Sequence, residues 1–97
     1  MSTPYFLVHR VEVAEGFAIV DGRLGDAKIK KGHVFSRSYG RVEAWHSEKK
    51  EFQPCAFVLS GIEAYKHALE ELDGGMTARL RIEGENLDSL ATAEVLA

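Results

Sequence analysis

The chain has little of several things, and each shortage excludes a class. A single cysteine, Cys55, rules out an intrachain disulfide framework and fits a reducing compartment. No apolar run approaches the roughly 20 residues that span a bilayer as a helix. The opening MSTPYFLVHR carries no basic leader and no clear cleavage site, so no secretion signal is expected and a cytoplasmic protein is. Only two prolines interrupt the 97 residues. Signature spacings are missing too. There is no CxxC, HxH or HExxH, no GxSxG elbow, and no GxxxxGK[ST] phosphate loop. His9, His33, His46 and His67 are scattered, and Cys55 opens an apolar run, so packed or solvated side chains are expected rather than a metal site or a nucleophile. No cofactor and no catalytic residue is expected.

What remains is the composition of an ordinary globular domain, 45% hydrophobic and 28% charged, in one unit over residues 1–97. Net charge is −3, unevenly spread. Lys and Arg predominate in the first half and Asp and Glu in the second, which implies either a dipolar surface or halves interleaved in space.

The stretch Phe17–Arg37 organises the chain. Apolar runs flank a segment rich in glycine and charge, which reads as strand, turn, a short strand at Lys28–Lys30, a turn at Lys31–Gly32 and strand again. Before it, Tyr5–Val13 reads as a strand with Phe6, Val8, Val11 and Val13 inward, which works only with an irregularity at His9–Arg10. After it, Tyr39–Gly40 turns into a strand over Arg41–His46, and Ser47–Gln53 reads as an exposed tip closed by Pro54. Cys55–Tyr65 reads as a strand broken at Ser60–Gly61, and Lys66–Leu72 as a helical turn on local propensity. Met76, Ala78, Leu80 and Ile82 alternate with polar residues, the pattern of a half-buried strand. A turn at Gly84–Asn86, one helical turn at Leu87–Leu90 and a closing strand at Thr92–Leu96 follow. Short strands with little helix predict an all-β, closed or nearly closed antiparallel barrel.

Three segments, AIVDGRLGDAKIKKGHVF, SGIEAYKHALEELDGGMTARLRIEG and LDSLATAEVLA, resemble the second domain of translational GTPases, the β-barrel shared by elongation factor Tu and its relatives. They lie between Ala18 and Ala97 and follow the family's order. The chain departs from the family at Ala27 and near Ala93, where glycine is usual. The resemblance implies a barrel without its own catalysis and, with no phosphate loop, one that binds no GTP. Such a barrel docks on a nucleotide domain, the ribosome or the acceptor end of transfer RNA. It also implies a binding role for Glu63, at a position where some members contact the terminal adenosine of aminoacyl-tRNA, and for Lys66 in the adjoining basic loop. A turn-stabilising surface Glu63 is the competing account.

The residues themselves point to a second candidate. Arg23, Lys28, Lys30, Lys31, Arg37 and Arg41 lie in one hairpin-rich region with Tyr39 and Trp45 nearby. Cations neutralise phosphates and exposed aromatics stack on bases. Against this, Asp21, Asp26 and Glu43 interrupt the patch, and lysines on a barrel edge also block edge pairing. An exposed Trp45 suggests a protein interface, whereas a register shifted by one residue makes it core. The expectation is a stand-alone binding module docking on a protein, with an RNA- or ribosome-binding accessory as the alternative and a small-molecule or enzymatic barrel third. No membrane partner is expected.

Overall fold

The computed structural model describes residues 4–40 and 52–97. Among these, strands run over Phe6–Val13 (β1), Ala18–Leu24 (β2), Ile29–Lys30 (β3), Val34–Tyr39 (β4), Gln53–Ala64 (β5), His67–Leu69 (β6), Glu71–Leu72 (β7), Thr77–Gly84 (β8) and Val95–Leu96 (β9). A 3-10 helix covers Leu87–Thr92. All pairings are antiparallel. The order β4-β9-β1-β2-β8-β5 returns to β4, which closes a six-stranded barrel, and β6 adds to β5 outside the ring. The pair β3–β7 forms a separate two-stranded ribbon. The all-β small barrel expected from strand spacing is therefore the fold.

Alternation builds the interior. Ala18, Val20, Gly22 and Leu24 of β2 point inward, as do Ala78, Leu80 and Ile82 of β8. Phe6, Phe35, Phe57, Leu59, Leu90 and Leu96 complete a core that is fully buried. Each such side chain contributes about 1.5–3 kcal/mol of burial. Gly22 faces the core where no side chain fits. A Cβ there would collide with the Leu7 carbonyl oxygen and lie 2.7 Å from the Phe6 ring. The missing side chain lets β1 close over β2, and Phe6 takes the space.

Extra residues bend the strands. His9 is an additional residue in β1, between Val8↔Gly22 and Arg10↔Asp21, at the irregularity that the sequence requires. β5 is continuous through Ser60, which bulges between Leu59↔Ile82 and Gly61↔Arg81 instead of breaking the strand. It takes a second extra residue near Cys55–Ala56 against β4. These bulges curve β5 enough to pair with β4, β8 and β6 along its 12 residues.

Several expectations are corrected. Lys66–Leu72 is not helical. Tyr65 and Lys66 make a two-residue hairpin turn, with φ of 53° and 65°, between Ala64 and its partner His67. Pairing of Leu69 with Ile62 and of Leu72 with Ile29 outweighs the local helix preference, which is weak over seven residues. Pro54 lies inside β5, opposite Arg37. It is tolerated because β8 joins β5 only from Phe57, so no β8 partner meets the position where proline lacks its N–H. Tyr39 belongs to β4 rather than to a turn, and Thr92 to the helix rather than to the closing strand. Val13 is exposed. Turns at Gly16 and Gly32, with φ of +85° and +96°, stand where they were expected. The strand expected over residues 41–46 and most of the expected tip after it fall outside the described residues.

Candidate functional site

Two cations of the basic stretch, Lys28 and Lys31, are engaged by carboxylates of the acidic half of the chain. β3 pairs with β7, which brings Lys28 Nζ to 3.3 Å from Glu71 Oε2 and 3.4 Å from Asp73 Oδ1, and Lys31 Nζ to 3.7 Å from Glu70 Oε1. Hydrogen bonds to Glu71 and then Asp73 hold the Lys28 ammonium above its ordinary pKa. Lys30 stands opposite Glu71 in the ribbon. Arg23 donates from Nε to the Gly75 carbonyl at 2.9 Å. The charge imbalance between sequence halves is thus interleaved in space, and this ribbon is not a bare positive face.

Tyr39, expected as a stacking aromatic, is fully buried and packs with Val95 and Ala97. β4 ends one residue later than the sequence suggests, and Tyr39 becomes a core residue. Arg41 and Trp45 lie outside the described residues.

Glu63 and Lys66 fall near each other on a different surface. The outer register of β1, β2, β8 and β5 aligns Arg10↔Asp21, Asp21↔Arg79 and Arg79↔Glu63, a cross-strand row of alternating charge. Arg79 Nε donates to Asp21 Oδ1 at 2.9 Å, and that bond, with weaker help from Glu63 and Glu12, raises the Arg79 pKa. A hollow of about 330 Å³ over Ile19 is walled by this row and Glu12. A second, more open hollow of about 460 Å³ reaches from Glu63 and Arg79 to Tyr65, Lys66 and Thr77. Tyr65 is 79% exposed at the turn tip.

The outer face of β4 and β5 has a different character. Val34 and Val58 are cross-strand partners, 50% and 41% exposed. Ala56, Pro54 and Phe52 continue the apolar strip along β5, and the Arg37 guanidinium stacks 4.7 Å from the Phe52 ring centre. Glu83 of β8 lies across from Val58 on the other side. Beyond Ala56 a cleft of about 720 Å³ opens between the start of β5 and residues 84–89. The strip was readable in principle. In Val34–Phe35 and in Phe57–Val58–Leu59, alternation forces one apolar residue outward. Joining them into one patch needed the β4–β5 register.

Chemically active groups are sparse. Burial pushes the Cys55 thiol up to about 11, and its Sγ contacts the Phe35 carbonyl at 3.4 Å. His33 packs edge-on against Phe35 at 4.8 Å with Nε2 buried and without a hydrogen-bond partner, and desolvation lowers its pKa. Among the described residues no three His, Cys, Asp or Glu gather as a metal site, and no helix is long and apolar enough to cross a membrane. No family model and no curated protein matches the chain.

Proposed function

We propose that the barrel is a noncatalytic binding module that docks on a protein partner through the outer face of β4 and β5. Kinship with the second domain of translational GTPases is part of the proposal, and an intracellular, GTP-free role follows from it. The observation that carries it is the contiguous exposed strip Val34, Val58, Ala56, Pro54 and Phe52. Isolated exposed apolar residues are ordinary, but a joined strip beside an arginine has the composition of an interface centre. The ion pairs of Lys28 and Lys31 weigh against the basic ribbon as a phosphate-binding surface.

One observation favours the alternative, an RNA- or ribosome-binding accessory. Tyr65 and Lys66 present a ring and an ammonium together at an exposed tip, next to Glu63. Affinity capture from native lysate separates the two. Wild-type bait is expected to hold protein partners after RNase treatment, and Val58→Asp bait to lose them. Partners released by RNase, or retained equally by Val58→Asp, would contradict docking on this face. A steep fall of binding with salt, abolished by Lys66→Ala, would favour the RNA alternative.

A further inference from the structure

We infer that one protein seated on this face is a second copy of the same chain, in a two-fold pair. The inference rests on the docking proposal above and names its partner by charge complementarity. Two exposed charges of opposite sign flank the apolar strip, Arg37 on β4 and Glu83 on β8, and among the described residues neither forms an ion pair. Their placement is diagonal. Val34, Val58 and Glu83 share one cross-strand row, so Glu83 is two strands from Val34, about 10 Å across the sheet. Arg37 is three residues beyond Val34 on β4, about 10 Å along the strand.

Val34 and the two charges therefore mark three corners of a rough square that has Ala56 near its middle. A two-fold axis parallel to the sheet, midway between the two facing copies and running along the Val34–Ala56 diagonal, exchanges the other two corners. It places Arg37 of each copy over Glu83 of the other and stacks the valines and Ala56 at the centre. The strands of the two copies then cross at about 90°, one of the two usual angles for face-to-face sheets. Two equivalent ion pairs and one apolar centre result from a single operation, as an isologous contact requires. Pro54, with no N–H to offer at the start of β5, disfavours edge-to-edge strand addition and leaves the face as the contact. The patch is small by the standard of stable dimers, so the dissociation constant falls at about 10 micromolar or weaker.

Sedimentation velocity of the purified full chain from about 5 micromolar to 1 millimolar tests this. Wild type is expected to shift from monomer to dimer across that range. Val58→Asp is expected to stay monomeric, since the two-fold buries two carboxylates together. Arg37→Glu weakens dimerisation about tenfold or more by turning two attractions into two repulsions, and adding Glu83→Arg restores it. All three positions are exposed, and circular dichroism checks that each variant folds. Val34→Lys replaces Val58→Asp if that variant does not.

A wild-type chain that stays monomeric at 1 millimolar overturns self-association. A dimer indifferent to all of these substitutions overturns it as well. Docking on another protein survives either result if lysate capture still depends on Val58, and fails with it if capture does not.

Discussion

Replacing Lys66 with glycine should make the protein more stable, although the change deletes a side chain and a charge. Tyr65 and Lys66 are the central residues of a two-residue hairpin with φ of 53° and 65°. Positive φ at both positions defines the type I′ turn, whose twist suits antiparallel strands and whose usual occupants are Asn-Gly. An L-residue in this region costs about 1–2 kcal/mol, because its Cβ crowds the following carbonyl. Glycine avoids that cost but has a more flexible unfolded chain, which returns part of the gain. Lys66 is exposed and forms no ion pair among the described residues, so losing its charge costs little. The net expectation for Lys66→Gly is about 1 kcal/mol. In a domain of this size that is a rise of about 4–8 °C in melting temperature. Tyr65→Asn with Lys66→Gly should add to it. Thermal unfolding followed by circular dichroism measures both. A melting temperature unchanged or lower in the double variant would refute the turn assignment and the strain ascribed to it.

Two glycines should separate steric from torsional cost. Gly32→Ala meets no atom within 4 Å but keeps φ at +96°, and should lose about 1–2 kcal/mol. Gly22→Ala drives a methyl into β1 and should lose more, about 3 kcal/mol, so denaturant midpoints that ranked them in reverse would count against the inward-facing Gly22. His33 ties stability to pH. Burial lowers its folded pKa below the ordinary 6.5, so the unfolded chain takes up the proton first, and stability present above that value is lost as pH falls through and below it. Urea unfolding at pH 7.5 and 5.5 should show a smaller drop for His33→Gln than for wild type; equal drops would remove His33 as the cause. Cys55, with its pKa near 11, should react with a disulfide reagent at pH 7.5 at least about tenfold slower in the folded than in the unfolded chain. Equal rates would place that thiol at the surface.

Local patterns carried the barrel because its interior depends on them. Met76–Ile82 and Ala18–Leu24 alternate, and their inward positions follow directly from a period of two. The extra residue at His9 was legible for the same reason, since no single register buries both Phe6 and Val11. Lys66–Leu72 was misread because its conformation depends on partners distant in sequence. Leu72 is buried by pairing with Ile29, and only the tertiary structure supplies that contact. The candidate site suffers more from this limit. Nothing near Lys28 in sequence announces Glu71 and Asp73, which are over 40 residues away and convert a basic stretch into a neutralised ribbon. The alternating row from Arg10 to Glu63 likewise exists only through the register of four strands. Glu63 was singled out through a family resemblance, and its place beside Arg79 is new information from that register.

Site-specific photocrosslinking tests docking on the β4–β5 face most directly. A benzophenone amino acid at position 58 would sit on the strip, and one at position 12 would sit on β1, three strands around the ring from β5 in either direction. Irradiation in cells should give protein adducts from position 58 and few from position 12. Adducts to nucleic acid at position 58, or equal protein yields from both positions, would contradict docking through this face.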